Sequence, residues 1–204
     1  MLRIAITGGL CAGKSLVSGL LREAGCPVVD ADTLGHAAFA EAAEDLRARF
    51  GKGIFDEQGR VDRKRLAERV FIGPNAAAQR QALNRILHPR IMKAADAQLK
   101  TWAAAGHACA GVEAALLIEE ELLAGFDRVV LVTAPLETRI ARYLARGGTR
   151  AQAEARIAAQ WSDERKAAHA DLIIDNGGTP EATRAQVAAV VAQWKDTQYR
   201  EDPT

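Results

Sequence analysis

The chain has 204 residues, 27 of them lysine or arginine against 26 aspartate or glutamate, for a formal charge of +1, and 49% of the residues are hydrophobic. That length suits one α/β domain with room for a small inserted subdomain, and so apolar a composition excludes a disordered chain. The balanced charge excludes the profile of a general nucleic-acid binder, since arginines concentrate only between Arg139 and Arg165. Three cysteines, Cys11, Cys26 and Cys109, suit neither a zinc site nor a disulfide framework and point to a reduced, cytosolic protein. The opening "MLRIAIT" has the wrong shape for a secretory signal. No apolar run approaches bilayer-spanning length, so no membrane partner is expected.

The first predicted element is a buried strand, Leu2 to Thr7, ending at Gly8. Lys14 to Ala24 follows as an amphipathic helix with Leu16, Val17, Leu20 and Leu21 at helical spacing, and Gly25 stops it. "CPVVD" is a second strand ending at Asp30. Strand, loop, helix and strand make a βαβ unit and imply a parallel sheet. From Thr33 to about Gly106 strand-like runs vanish. Helical segments over Leu34–Phe50, Asp62–Phe71 and Ala76–Ala105, with "GKGIFDEQGR" as a turn-rich link, read as a helical insertion on the frame. The frame resumes with "HACAGVE", then "RVVLVT", then "DLIID" ending at Asp175. A last helix, Pro180 to Lys195, places Val187, Val190, Val191 and Trp194 on one face. "QYREDPT" is expected to be a loose tail.

Residues 8 to 15, "GGLCAGKS", satisfy G-x-x-x-x-G-K-[ST] through Gly8, Gly13, Lys14 and Ser15. A strand precedes the match and an amphipathic helix follows, which is the context the phosphate-binding loop demands. Backbone N–H groups of residues 9 to 15 can form a concave nest for anionic oxygens, and the following helix adds its positive end. The Lys14 ammonium can reach β- and γ-phosphates, and the Ser15 hydroxyl can coordinate Mg²⁺. A tight turn that merely uses glycine is the alternative, but it gives Lys-Ser no reason to stand at this register. Backbone amides do most of the binding, so Cys11 and Ala12 matter little if the backbone can adopt the loop; a left-handed conformation at Cys11 would cost roughly 1–2 kcal/mol. Cys11 also has surroundings that make a thiol reactive, against the plainer reading of a small residue that fits.

Such a loop implies a nucleotide, not a reaction. The next strand ends in "VVDAD", and ligands in α/β sheets gather outside the carboxyl ends of strands. Asp32 can accept or orient the proton of an acceptor hydroxyl, and Asp30 can orient it or hold a metal-bound water. A plain helix cap is the alternative for Asp32. Arg139, Arg142, Arg146 and Arg150 recur every three or four residues and are expected on one helical face, with Arg142 and Arg146 the preferred stabilisers of a transferring phosphoryl group. "RGGT" is placed to hinge a lid. Glu113 and Glu119, in "VEAALLIEE", are candidates for an acid linked to Mg²⁺. His88, before Pro89, is a candidate substrate contact; His36, His107 and His169 carry no signal.

Taken together, "TGGLCAGKS", "VVDAD", "GIFDEQGRVDRKRLAERVF", "LNRILHPRI", "ALLIEE", "RIARYLAR" and "ADLIIDNGG" resemble the dephospho-CoA kinase family, in the family's order and over nearly the whole chain. The resemblance implies a P-loop kinase fold: a five-stranded parallel sheet flanked by helices, with a helical CoA domain (about 33–106) and a lid (about 135–169). The core would comprise 1–32, 107–134 and 170–196. It implies transfer of the γ-phosphate of ATP to the ribose 3′-hydroxyl of dephospho-CoA with Mg²⁺, and a cytoplasmic enzyme. By position, Gly8, Gly9, Cys11, Ala12, Gly13, Lys14, Ser15 and Leu16 would wrap the phosphates. Asp32 would be the base, Lys14, Arg142 and Arg146 would neutralise charge, Asn176 would lie by the adenine, and His88 would lie near the acceptor. The family usually carries "GGIGSGKS" and "PLLFE", so Cys11, Ala12 and Ala115 depart from it, as do Glu113, Arg139 and Gly147, where aspartate, glutamine and aspartate are common. None of these removes Lys14, Ser15, Asp32 or Arg142. Two other readings are a kinase for another small hydroxyl acceptor, opposed by the markers in the helical insertion, and a non-catalytic nucleotide-binding regulator, opposed by Asp32. Oligomeric state is not legible in the sequence.

Overall fold

The computed structural model of the chain describes the backbone of residues 1–201 and the side chains of residues 1–194. The chain divides into two compact units, one comprising residues 1–30 and 99–204 and the other residues 31–98. The first is built on five parallel strands: β1 (Leu2–Gly8), β2 (Val28–Asp30), β3 (Cys109–Glu113), β4 (Arg128–Thr133) and β5 (Leu172–Asp175). Their order across the sheet is β2-β3-β1-β4-β5. β1 is therefore central, and pairs with β3 through Ile4↔Gly111 and with β4 through Ile6↔Val130.

This order has a functional consequence. The chain leaves β1 toward β2 on one side and leaves β4 toward β5 on the other. The carboxyl ends of the adjacent strands β1 and β4 thus flank a point where the winding reverses, which is where open α/β sheets form a crevice. The glycine loop follows β1 at that point, and α6 (Leu136–Ala145) follows β4.

Ile4, Ile6, Val130, Val132 and Ile174 of the sheet pack with Val17, Leu20 and Leu21 of α1 (Lys14–Glu23) and Val187, Val191 and Trp194 of α9 (Pro180–Glu201). Strands covered on both faces read as continuous apolar runs, which is why "RIAIT" and "VVLV" carry almost no alternation. The apolar face expected for the last helix is the one that packs. That helix continues past Lys195 to Glu201, so residues 198–201 are helical where a loose tail is expected; residues 202–204 lie outside the described part of the chain.

The second unit is helical. The segment expected as one helix over 34–50 is two, α2 (Ala31–Glu41) and α3 (Ala43–Phe50), parted at Ala42. The turn-rich link holds a short 3₁₀ turn, Lys52–Ile54, and an antiparallel bridge between Phe55 and Val61. Asp62 caps α4 (Arg63–Phe71) by accepting from the N–H groups of Lys64 and Arg65. α5 (Ala76–Ala104) contains Pro89, and its end from Leu99 onward belongs to the first unit. Ala38, Leu46, Phe50, Ile54, Phe55, Leu66, Val70, Leu83 and Leu87 form this unit's own core.

Candidate active site

The loop between β1 and α1 is held from outside by side chains. Lys14 Nζ donates to the carbonyl oxygens of Gly8 at 3.0 Å and Gly9 at 3.5 Å. Arg139 Nε donates to Leu10 O at 2.9 Å. One terminal nitrogen of Arg142 reaches Cys11 O at 3.3 Å and Ala12 O at 3.1 Å, and Asn176 Nδ2 donates to Ala12 O at 2.7 Å. Five consecutive carbonyls, Gly8 to Ala12, are thus occupied by side-chain donors. Gly13, the N-cap of α1, has no side chain to offer, so no side-chain oxygen caps the first N–H groups of the helix. A cavity of about 440 Å³ opens there, lined by Cys11, Gly13, Lys14, Ser15, Leu16, Arg142, Ala145, Arg146 and Asn176. An uncapped helix N-terminus beside one lysine and two arginines is a strongly anion-attracting environment.

Two glycines owe their identity to close approach. A Cβ on Gly13, whose φ is 102°, would stand 1.8 Å from Asn176 Nδ2. A Cβ on Gly9 would stand 2.1 Å from a terminal nitrogen of Arg139. Cys11 has φ 56°, in the left-handed region, so a side chain stands where glycine is at ease, at a cost of roughly 1–2 kcal/mol. Its thiol is buried, 8% exposed, which does not favour the reactive-thiol expectation.

Ser15 Oγ donates to Glu113 Oε1 at 3.2 Å, and Glu113 is buried at the end of β3. Asp30 stands beside Glu113 in the register of β2 and β3. Of the two glutamates considered for metal support, Glu113 therefore meets the loop serine. Glu119 instead forms an ion pair at 2.8 Å with Lys166, whose side chain is wholly buried. Asp32 lies exposed in the first turn of α2, two residues past the end of β2, and so is inside the helix rather than its cap. His88 is half-buried in α5 directly before Pro89.

The arginine series does not form one face. α6 ends at Ala145, Arg146 is its C-cap, and Arg150 starts α7 (Arg150–Ala158) after a turn at Gly147 and Gly148. Arg139 and Arg142 point at the loop; Arg146 is on the cavity wall; Arg150 pairs with Glu137 and Glu154 at the surface. The series bends because the turn at the two glycines resets the helical phase.

Asn176 is also more committed than its expected place by an adenine suggests. It is 2% exposed, and its Oδ1 accepts from Thr183 while its Nδ2 holds Ala12 O. Three residues went unseen in the sequence. Gln160 Oε1 accepts from Leu10 N at 2.8 Å. Asp163, in α8 (Asp163–Ala167), lies 3.4 Å from Arg139, and Lys166 follows on the same helix. Burial raises the Asp163 carboxyl above its usual range, against the opposing pull of Arg139 and Lys166. No motif marks any of the three.

A glycine loop from the central strand into an uncapped helix, at the winding reversal of a five-stranded parallel sheet, defines a P-loop nucleotide-binding fold of the kinase type. The sequence profile of the family "Dephospho-CoA kinase" matches residues 2–181, and the chain belongs to this family. A dephospho-CoA kinase of Geobacillus kaustophilus is 36% identical over 197 residues, covering 95% of this chain and 96% of its own length. The crystal structure of a Thermus thermophilus protein designated TT1252 superposes with a TM-score of 0.79 at 33% identity, covering 94% of this chain and 97% of that one. Shikimate kinase from Acinetobacter baumannii shares the fold alone, with a TM-score of 0.52 at 14% identity over 97% of this chain and 94% of its own. The chain is accordingly an ATP-dependent phosphotransferase of coenzyme A synthesis. Among the described residues no helix is long and apolar enough to cross a membrane.

Proposed function

We propose that the chain transfers the γ-phosphoryl group of ATP to the ribose 3′-hydroxyl of dephospho-CoA, in the cytoplasm, giving coenzyme A and ADP. The observation that carries the site assignment is the capture of the carbonyls of Gly8 to Ala12 by side-chain donors, beside a cavity that opens at the uncapped start of α1. Gly8, Gly9 and Cys11 to Leu16 bind the ATP phosphates in this reading. Lys14, Arg142 and Arg146 offset the charge of the group in transfer, and Asn176 holds the loop against the nucleotide. The barrier then falls mainly through positioning and electrostatics.

Ser15 and Glu113 are a pair of hard oxygen donors with Asp30 at the neighbouring strand end, a set that suits Mg²⁺, which takes one or two protein oxygens and otherwise water and phosphate. When bound, Mg²⁺ would screen the phosphate oxygens. Ser15 and Glu113 are the residues proposed to hold it, Glu113 through its carboxylate and Ser15 through its hydroxyl. Asp32 is the carboxylate proposed to orient the acceptor hydroxyl and take its proton, and His88 is proposed to contact the acceptor.

The test is ADP release by the purified protein with ATP and Mg²⁺, with and without dephospho-CoA, while product mass is recorded. Acceptor-dependent ADP with a product one phosphoryl group heavier is expected. ATP binding without that product would overturn the reading. Asp32→Asn should leave ATP affinity nearly intact and lower kcat by roughly 10²–10⁴; an unchanged rate would remove Asp32 from the mechanism.

A further inference from the structure

The conformation of Cys11 needs a cause. A residue with a side chain at φ 56° has an easy escape. If the peptide unit between Leu10 and Cys11 turned through half a circle, φ of Cys11 would move to about −120°, in the broad region open to every residue. The same turn would exchange the directions of the Leu10 carbonyl oxygen and the Cys11 N–H beside the cavity that Cys11 lines. A cradle built from amides would then present an oxygen to a phosphate, which repels it.

The structure blocks this escape at the peptide's own carbonyl: Arg139 Nε holds Leu10 O at 2.9 Å. Gln160 Oε1, on Leu10 N at 2.8 Å, and Arg142, on Cys11 O at 3.3 Å, hold the peptide units before and after it. Arg139 is itself fixed. Its side chain is 8% exposed, its other arm lies 3.4 Å from Asp163, and its guanidinium rests where a side chain on Gly9 would otherwise be. A buried guanidinium is tolerable only when paired, and Asp163 is the carboxylate that pairs it. Lys166 bears on Asp163 electrostatically and is anchored by Glu119, so the support continues into the protein.

We propose that Arg139 is a positioning residue for ATP binding: it holds the Leu10–Cys11 peptide with its N–H toward the phosphates, and the chain needs this clamp because position 11 is cysteine rather than glycine. The proposal rests on the reading of this loop as the ATP-phosphate cradle. Glycine has no preference for the flipped peptide, so a chain carrying Cys11→Gly should not depend on the clamp.

The experiment is a double-mutant cycle on the full chain, using Cys11→Gly, Arg139→Met and the pair. Kd for ATP with Mg²⁺ is measured by calorimetry without acceptor, and kcat and KM for ATP with dephospho-CoA. Arg139→Met should weaken ATP binding about tenfold in the otherwise unchanged chain and less than about twofold when Cys11→Gly is present. KM for ATP should rise more than kcat falls. A merely structural role would cost the same in both backgrounds, and equal losses would overturn the proposal. If Arg139→Met does not fold, Asp163→Asn is added to it so that no carboxylate is left without its cation, and the same cycle is run, with the same rescue by Cys11→Gly expected and its absence decisive against the clamp. An unchanged chain that fails to bind ATP would overturn the cradle reading, and this proposal with it. An unchanged chain that binds ATP, with losses that do not depend on position 11, would overturn the clamp alone.

Discussion

The two units of this molecule each have an apolar core but differ in the polar groups they bury. Among the described residues, every buried polar or charged side chain (Thr7, Ser18, Glu113, Arg139, Lys166, Asn176 and Thr183) lies in the sheet unit. The buried side chains of the helical unit 31–98 are all hydrophobic, and its ion pairs, such as Arg90–Asp45, sit at the surface. Apolar packing is non-directional and tolerates small shifts. Hydrogen bonds and buried ion pairs fix an atom's place and are costly when left half made. The loop after β1 offers five carbonyls to side-chain donors, and these donors are directional groups. The contrast shows that buried polar groups gather in the unit that carries the glycine loop, where Arg139 and Asn176 fix its carbonyls.

The comparison makes its largest demand at Lys166. Lys166→Met would leave Glu119 buried without its cation, and should cost about 3–5 kcal/mol, or roughly 6–20 °C in Tm. Adding Glu119→Gln should restore much of that loss, because no lone charge would remain. A single substitution as mild as a surface change would break the contrast. Next is the apolar side. Leu46 is fully buried in the helical core, and Leu46→Ala should cost about 2–5 kcal/mol by lost transfer energy and a cavity. No second substitution of a charged residue should rescue it; denaturant unfolding of the two variants checks both.

The smallest effect at neutral pH comes from the sheet's thiols. Cys26 and Cys109 are buried neighbours, in no disulfide, at the entries of β2 and β3. The hydrogen bond to the Cys109 thiol, with burial, pushes the Cys26 thiol far up from its ordinary 9.0. The folded chain therefore keeps a proton that the unfolded chain releases above that value. Stability should fall as pH rises past 9.0, by about 1.4 kcal/mol per pH unit from this group. Melting curves between about pH 8 and 10.5 should show a shallower alkaline slope in Cys26→Ser. An identical slope in both proteins would show that Cys26 does not set it.

Local regularities were legible. Apolar runs marked all five strands, and the spacing from Gly8 to Ser15 marked the loop, because a strand, a glycine turn and a helix start are properties of neighbouring residues. The single helix expected over 34–50 was not, since nothing in its composition signals a break at Ala42. The arginine face expected over 139–150 failed at Gly147 and Gly148, where periodicity cannot be carried across a turn.

What the sequence by itself determined is the parallel α/β frame, the loop motif with Lys14 and Ser15, and, by resemblance across the chain, the kinase family. What only the tertiary structure decided is which distant side chains serve the loop. Ser15 meets Glu113 across a separation of 98 residues, and Leu10 meets Arg139 across 129. Lys166 takes Glu119, leaving Glu113 to the site. Such pairings follow from strand order and from the winding reversal between β1 and β4, which bring the ends of separate segments to one edge of the sheet. No periodicity within a segment records which segment will lie beside it.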